Sequence, residues 1–388
     1  MTPRVSLAAM CGDAQRHVAA RMLASVFKYP HRICDEVVFF WNGRGESPLL
    51  PAPRGAHAGV EIRIVPHTWP YDFSAARNAN FDVCRGDWII WFDCDDILER
   101  PKRARDFAAR HGKTQGGHAP LASDLHVYLE SLPPDIGAVW CPYAYSPTET
   151  QLHPRILRRS DGWRWDGRVQ ERLSAAREPQ PSWTEFWGLY WRQMSVQTEA
   201  ERQDRNIPLL EMAVAGGDRA PFTLYYLARA REDQGRMGEA NDLYCEAAFC
   251  AQRAGNKPQL YQIAITAAQF ALRHRDYALA ADFASYCRET RPDLPEGYFA
   301  GCIADAHRDR PREAIDLFEA GGEAMIRNRT APRFSYIAEF LPGPVIWASA
   351  AACYIALGKK DRAAALLRLI PAAERDGDTA AMMTACRA

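Results

Sequence analysis

Short apolar runs alternate with longer amphipathic stretches over the first half of the chain. Five runs rich in β-branched and aromatic residues are predicted to be β-strands: Val5–Met10, Glu36–Trp41, Val60–Val65, Trp88–Phe92 and Ala138–Tyr143. Stretches with the apolar spacing of a helix lie between several of these strands, for example His17–Phe27 and Ser74–Cys84. Strands that alternate with helices predict an α/β layered domain with a largely parallel sheet, in which ligands bind beyond the carboxyl ends of the strands.

The pattern changes near residue 205, and apolar residues then keep a helical period to the end of the sequence. Small residues recur in four successive units, at Ala228, Ala268, Cys302 and Ala351. Small side chains at such positions let two antiparallel helices approach closely. The pattern resembles degenerate tetratricopeptide repeats, and an ordinary alanine-rich helical bundle is the alternative. We therefore predict an α/β domain at residues 1–204 and an all-α repeat domain at residues 205–388.

Composition narrows the class of protein. A chain of 388 residues is long for one hydrophobic core, and 47% hydrophobic with 25% charged residues is typical of globular proteins. Lysine plus arginine equals aspartate plus glutamate, at 48 each, which argues against a wholly basic nucleic-acid-binding protein. Without a long apolar run, the sequence predicts neither a membrane span nor a signal peptide. Eleven cysteines without paired spacing favour a reduced, cytoplasmic location.

The strongest chemical signal is an apolar strand that leads directly into three carboxylates, Asp93, Asp95 and Asp96. Burying unpaired carboxylates is costly, so they are expected at the strand end, in a cleft, facing a cation. An Asp-x-Asp turn supplies the oxygen ligands that hard divalent ions take while they bridge phosphate oxygens. A polar strand-end turn with helix-capping aspartates is the alternative.

Further motifs lie on both sides of this turn. They are Phe73-Ser74-Ala-Ala-Arg77-Asn78, Gly86-Asp87-Trp88, Arg155-Ile-Leu-Arg158 and Trp165-Asp166-Gly167-Arg168-Val-Gln170-Glu171. Their order resembles the family 2-type glycosyltransferases of the GT-A fold, in the subgroup with a C-terminal tetratricopeptide region. The segment that begins Arg205-Asn206 resembles the join into the repeats of that subgroup, so the resemblance covers most of the chain. It implies a Rossmann-like mixed sheet that binds a nucleotide sugar, followed by helical repeats.

The resemblance also implies a role for each matching residue. Asp95 would bind Mn2+ or Mg2+ on the donor diphosphate, Asp93 would hold the ribose or assist the metal, and Asp96 would line the sugar or acceptor side. Glu171 would be the general base, with Asp166 in reserve. The residues expected to bind the nucleotide or its phosphates are Arg77, Asn78, Arg155 and Arg168. The alternatives are a surface position for Arg77 and Asn78, and an ion pair with a neighbouring arginine for Glu171.

Two positions depart from the family pattern. Gln170 stands where the subgroup usually has histidine, which weakens the expectation of a metal or phosphate contact there. Asn42 and Gly43 follow the second strand, in place of an acidic turn that often recognises uracil. Asn42 is able to hydrogen-bond a base, so a UDP-sugar is the donor that the resemblance implies while the base itself stays open.

The reaction implied by the resemblance is metal-assisted sugar transfer from a nucleotide diphosphate to an acceptor nucleophile, with inversion at the anomeric carbon. Two alternatives remain. One is a catalytically inactive, transferase-like scaffold whose repeats bind a partner protein. The other is a metal-dependent nucleotidyltransferase, which would release pyrophosphate and transfer no sugar.

A local cluster of basic residues suggests one class of acceptor. The segment from Arg155 to Arg177 holds seven arginines against three acids, interleaved with Trp163 and Trp165. Arginines pair with phosphates and tryptophans stack on bases, so this strip is a candidate surface for nucleic acid, such as DNA with a modified base. Helical repeats form concave surfaces suited to a protein or peptide acceptor, and a glycan or small molecule is the remaining possibility.

Overall fold

The computed structural model describes residues 2–99, 101–110, 125–146, 149–194, 198–327 and 343–387. It divides into two compact units, Met1–Leu209 and Leu210–Ala388. The predicted boundary after residue 204 falls inside the helix Glu199–Ala215. None of the helices in the described ranges is both long and apolar enough to cross a membrane.

The first unit is built on a mixed sheet of nine strands. In the described part of the chain the strands are β1 (Val5–Cys11), β2 (Glu36–Trp41), β3 (Glu61–Pro66), β4 (Trp88–Asp93), β5 (Asp96–Leu98), β6 (Ile136–Ala144), β7 (Thr150–Arg158), β8 (Arg164–Asp166), β9 (Arg172–Ser174), β10 (Ser182–Glu185) and β11 (Trp191–Gln193). Their order in the sheet is β3-β2-β1-β4-β7-β6-β11-β5, with β10 beside β6, while β8 and β9 form a separate two-stranded ladder.

All five predicted strands are present, and the mixed sheet implied by the resemblance is confirmed. The expectation of a largely parallel sheet is met by β3, β2, β1 and β4. Beyond β4 it holds for β10 and β11, which run parallel to β6. It is wrong for β7, which runs antiparallel to β4 and β6, and for β5, which runs antiparallel to β11. β7 was not predicted from the sequence because His153, Pro154 and its arginines interrupt the apolar run that marks a buried strand.

Side-chain alternation along β1 gives the sheet two apolar faces. In the described residues of this unit the helices are α1 (Arg16–Phe27), α2 (Phe73–Val83), α3 (Pro101–Arg110) and α4 (Leu125–Glu130). Leu7 and Ala9 pack in a cluster with Met22 and Leu23 of α1. Ala8 and Met10, on the opposite face, pack with residues of α2. The sheet is therefore covered on both sides, and its polar residues are left at the strand ends.

The second unit is all helical, as predicted. Its described helices, after α5 (Glu199–Ala215), are α6 (Pro221–Asp233), α7 (Met237–Arg253), α8 (Lys257–Arg273), α9 (Tyr277–Thr290), α10 (Glu296–His307), α11 (Pro311–Arg327), α12 (Pro344–Ala356), α13 (Lys360–Leu369) and α14 (Gly377–Ala385). They pack mainly as successive pairs. The predicted small anchors, Ala228, Ala268, Cys302 and Ala351, are all fully buried in this packing.

Candidate functional site

A large cleft opens at the carboxyl ends of the parallel strands, with a volume of about 1120 Å³. Its walls come from the residues that follow β1, β2, β3 and β4, together with the loop before Glu171 and the beginning of α5. This is the edge at which open α/β sheets bind ligands. At about 1120 Å³ the cleft is slightly larger than the size range typical of small-molecule sites.

Arg77 lies on the floor of this cleft. Asp72 caps the amino end of α2 by accepting a hydrogen bond from the Ala75 amide, and Arg77 follows one turn later. Its guanidinium is 11% exposed and lies over the rings of Trp91 and Trp165, at 5.2 and 4.9 Å from their centroids. The tryptophans hold the cation in place through packing and cation–π attraction.

Two carboxylates compete for this cation. Arg77 Nη2 donates to Asp93 Oδ1 at 2.6 Å, and Arg77 Nε lies 3.5 Å from Glu171 Oε1. Burial opposes the charge of Arg77, but Asp93 and Glu171 raise its pKa above the ordinary value. Burial raises the pKa of Glu171 by more than Arg77 lowers it. Glu171 is thus paired with an arginine, as the alternative predicted, and the arginine comes from α2 and not from its own loop.

The three aspartates after β4 occupy different environments. Burial raises the pKa of Asp93, but Arg77 and Arg155 lower it further, so the pKa stays below its usual range. Burial and the charges of Asp93 and Asp96 raise the pKa of Asp95 to about 7. Asp93 and Asp95 both line the cleft, as predicted. Asp95 is therefore the carboxylate that has most to gain from a cation.

The prediction that Asp96 lines the sugar or acceptor side is wrong. Asp96 begins β5 and is fully buried, since β5 pairs with β11 inside the unit. Its carboxylate accepts hydrogen bonds from the Asp93 amide at 3.1 Å, the Tyr143 hydroxyl at 2.8 Å and Arg155 Nη1 at 2.9 Å. Burial outweighs Arg155 and raises the pKa of Asp96 to about 6. The residue braces the turn that carries Asp95.

Four other predicted residues lie outside the cleft. Asn78 bonds the main chain of Trp165 through both ends of its amide, at 2.9 and 2.8 Å. Arg155 is 2% exposed and pairs with Asp96. Asp166 is exposed and lies 3.3 Å from Arg172, and Arg168 donates to the Tyr71 carbonyl. These side chains fix the surroundings of the cleft, and the expectation that they contact ligand is not supported by their positions.

Two residues of the cleft have strained backbone. Tyr71 and Gln170 line the cleft with φ of 56° and 57°, in the left-handed region that side chains with a Cβ rarely adopt. Hydrogen bonds between their loops hold this backbone: the Phe73 amide donates to the Arg168 carbonyl and Ser74 Oγ donates to the Gly167 carbonyl. Such strain persists where the surrounding structure fixes it, and it is concentrated at ligand-binding sites.

Sequence reasoning missed several polar residues of the cleft. They are Asp13, Arg44, His67 and Arg202. Asp13 follows β1 by two residues, so the rule that ligands bind at carboxyl ends of strands would have indicated it. Arg205 and Asn206, which were noted only as part of a join between domains, also line the cleft.

Some members of the predicted basic strip are not available at the surface. Arg155 and Trp165 are buried. Arg158 donates to the carbonyls of Ile136 and Pro133, and Arg159 donates to the Gly86 carbonyl. These arginines satisfy main-chain groups beside the end of β7, while nucleic-acid binding by the rest of the strip stays a prediction.

A divalent cation was also expected. The described residues contain no group of three or more His, Cys, Asp or Glu side chains arranged to hold a metal. Asp95, whose pKa is raised by burial and by neighbouring carboxylates, and Asp93 nevertheless fit a cation of the magnesium type. Such ions are commonly bound by one or two carboxylates plus substrate phosphates and water.

A protein-family match supports the family resemblance for part of the first unit. Residues 18–114 match the model of glycosyl transferase family 2, which confirms the resemblance inferred from the motifs over that segment. A TPR repeat-containing protein of Synechococcus elongatus is 28% identical over 130 residues, which are 31% of this chain and 30% of that relative. The chain therefore spans about a third of the length of the curated relative that it matches.

Solved structures of repeat proteins match this chain with low TM-scores. MamA of AMB-1 is 17% identical with a TM-score of 0.34, and the match covers 44% of this chain and 89% of MamA. YrrB, a TPR protein with an unusual peptide-binding site, is 16% identical with a TM-score of 0.33, covering 48% and 80% of the two chains. The helical repeat architecture of this chain follows from its own helix pairs.

Proposed function

We propose that this chain, whose residues 18–114 match glycosyltransferase family 2, transfers a sugar from a nucleotide-diphosphate donor to an acceptor nucleophile. The observation that carries the proposal is the position of Asp93 and Asp95. Both lie at the carboxyl end of β4, in a cleft of about 1120 Å³, with Arg77 and Glu171 beside them. Cationic and acidic groups meet there, as a reaction requires in which a diphosphate leaves and an acceptor loses a proton.

The donor diphosphate is proposed to lie against Asp95. A divalent cation held by Asp95 and Asp93 would offset the charge that grows on the leaving diphosphate. Arg202 and Arg205 line the same cleft and supply further positive charge for the phosphates. Fixed charges in a partly dry cleft act strongly on such a leaving group because water does not screen them.

Glu171 is proposed to be the general base. The acceptor X–H loses its proton to the carboxylate as X bonds the anomeric carbon, and the bond from that carbon to the diphosphate oxygen breaks. The products are the glycosylated acceptor, a nucleoside diphosphate and a proton. Burial raises the pKa of Glu171, which makes it a better base than an exposed glutamate. A base opposite the leaving group implies inversion of configuration.

A protein or peptide is the acceptor that we propose. The helical unit supports this choice, because stacked helix pairs create extended concave surfaces suited to peptides. Two members of the predicted basic strip, Arg155 and Trp165, are buried, which lowers the case for nucleic acid.

The test is release of nucleoside diphosphate from a panel of UDP-, GDP- and TDP-sugars, with Mn2+ or chelator. We expect metal-dependent release from one donor, and a loss of about 10²–10³-fold in both Asp95→Asn and Glu171→Gln. Asp82→Asn is the control, because Asp82 is an exposed partner of Arg164 outside the cleft. Undiminished release by Asp95→Asn would refute the donor assignment.

The transferase-like scaffold remains the second candidate. Gln170 in place of histidine and the engagement of Asp93 by Arg77 favour it. A scaffold would bind donor weakly or not at all in calorimetry and would release nothing in the assay. A nucleotidyltransferase would be recognised in the same assay by pyrophosphate release without sugar transfer.

A further inference from the structure

Three polar side chains meet at the end of the cleft formed by β1, β2 and β3. Asp13 follows β1, Asn42 follows β2 and His67 follows β3, and all three line the cleft. We call Asp13, Asn42 and His67 the base cluster. Asp93 and Asp95 follow β4, which neighbours β1 on its other side. A nucleotide whose diphosphate lies at Asp95 would therefore extend its base toward this cluster.

The orientation of the Asn42 amide is fixed by His67. Asn42 Oδ1 lies 2.8 Å from His67 Nδ1. An amide oxygen only accepts hydrogen bonds, so Nδ1 must carry a hydrogen. Burial lowers the pKa of His67, which favours the neutral ring. The tautomer with the hydrogen on Nδ1 is the one that matches Asn42 Oδ1 facing this nitrogen. Main-chain bonds from the Asn42 amide to Cys11 and from the His67 amide to Trp41 hold both residues in place.

The Asn42 side-chain nitrogen is consequently a donor for a ligand. Within the described ranges, the bond to His67 is the hydrogen bond that the Asn42 side chain makes. Its two N–H groups stay available at the edge of the cleft. A carbonyl oxygen on a bound base would accept from them.

Asp13 provides the acceptors beside this donor. Its two carboxylate oxygens lie 3.3 and 3.1 Å from the amide nitrogen of Arg44, in the turn that follows Asn42. Gly43 makes this approach possible, since a Cβ there would lie 2.5 Å from Asp13 Oδ1 and 2.1 Å from the Trp41 ring. The Asp13 carboxylate is thus held against the turn that begins with Asn42. It retains lone pairs, because a carboxylate accepts about four hydrogen bonds.

We propose that the base cluster selects guanine, so that the donor is a guanosine-diphosphate sugar. The inference rests on the proposed function and names its substrate. Guanine presents a carbonyl oxygen, O6, next to two donors, N1–H and N2–H. O6 would accept from the Asn42 amide, and the two N–H groups would donate to the two oxygens of Asp13. Paired bonds to a carboxylate are stronger and more specific than single ones.

Other bases fit this set of groups less well. Uracil and thymine present one N–H between two carbonyl oxygens, so one oxygen of Asp13 would face a carbonyl. Adenine presents an amino group beside an unprotonated ring nitrogen and supplies no second donor to the carboxylate. Each hydrogen bond to a charged group that is lost corresponds to about 10- to 100-fold in affinity.

The test is calorimetric binding of GDP, IDP, UDP and ADP to the full chain with Mn2+. IDP lacks only the N2 amino group, so it isolates one of the two bonds to Asp13. We expect GDP to bind about 10- to 100-fold more tightly than IDP or UDP. In Asp13→Asn the advantage of GDP over IDP should fall below about threefold, while UDP affinity changes little. Asp82→Asn is the matched control, and thermal melts show whether each variant is folded.

The outcomes separate the inference from the proposed function. UDP or ADP binding more tightly than GDP would overturn the guanine assignment and leave the nucleotide-sugar proposal intact. Equal binding of GDP and IDP would overturn the paired contact with Asp13. Failure of all four nucleotides to bind would contradict the proposed function itself. An Asn42→Asp variant provides a second check, because a carboxylate facing O6 should weaken GDP about tenfold or more.

Discussion

Replacing Arg155 by methionine tests whether the ion pair with Asp96 supports the turn that carries the candidate site. The two side chains are 2% and 0% exposed and their N–O distance is 2.9 Å. Removal of Arg155 leaves a buried carboxylate with hydrogen bonds from Tyr143 and the Asp93 amide and no positive partner. Breaking a buried pair in this way costs about 3–5 kcal/mol.

That loss converts into a large thermal shift. The unit spans Met1–Leu209, and for a domain of this size about 1 kcal/mol lowers Tm by roughly 2–4 °C. The expected decrease for Arg155→Met is therefore about 6–20 °C in differential scanning calorimetry at pH 7.5. At that pH Asp96, whose pKa is about 6 with Arg155 present, is ionised in the native protein, so the ion pair is intact before the substitution. Neutralising both partners in Arg155→Met/Asp96→Asn should recover most of the loss, since two apolar or neutral groups need no ion partner.

The control is the exposed pair of Arg164 and Asp82, whose side chains are 51% and 55% exposed. Arg164→Met should cost less than about 1 kcal/mol. A decrease of Tm in Arg155→Met no larger than in Arg164→Met would refute the reasoning. A double variant as unstable as the single one would show that lost packing over Trp91, 3.8 Å from the guanidinium, is the cause and not the unpaired charge.

Three further predictions concern stability. Glu36 is 1% exposed and accepts from Ser6 and the Arg85 amide, so Glu36→Gln should cost about 1–3 kcal/mol in urea at pH 7. Burial opposes the ionisation of Glu36, but Ser6, Arg85 and Arg63 hold its pKa below 4.5. The stability that the carboxylate provides is therefore present above pH 4.5 and is lost as the pH falls through the lower pKa of the folded state. The urea midpoints of the native protein and the variant should converge in acid, and a constant difference would contradict this. Gln170→Gly should raise the free energy of unfolding measured in urea by about 0.5–1 kcal/mol, because glycine adopts positive φ without strain. A lower free energy of unfolding would show that the side chain stabilises the loop. Gly297→Ala should destabilise the helical unit by about 1–3 kcal/mol and lower its Tm, since the added Cβ would lie 2.6 Å from Cys287 Cβ. Gly238→Ala, with open space around it, should not; equal effects would exclude close helix packing as the cause.

Periodicity predicted the elements that bury a continuous apolar run. β2 was predicted to the residue, and β1 and β4 to within one residue at their carboxyl ends. β7 was not predicted because its first residues are polar and Pro154 interrupts its apolar pattern, although Ile156 and Leu157 near its carboxyl end are fully buried. Local patterns contain no information on which neighbour a strand will pair with, so the antiparallel pairings of β7 and β5 could not be predicted.

The candidate site could be predicted only in part, because motifs mark some of its residues and the fold alone places the others. Asp93, Asp95, Arg77 and Glu171 lie in recognisable motifs, and the structure brings all four to one cleft. Asp96 belongs to the same motif, yet its direction depends on β11, which is distant in sequence. Asp13 and the residues near it lie in short loops without a motif, where only the fold reveals that they face the same ligand.

The central claim is that Asp95 holds the donor diphosphate through a divalent cation. Its most direct test is calorimetric titration of GDP and UDP into native protein and Asp95→Asn, each with Mn2+ and with chelator. We predict metal-dependent binding of a nucleoside diphosphate to the native chain, weakened about 10- to 100-fold in the variant. Equal, metal-independent binding by both proteins would contradict the account.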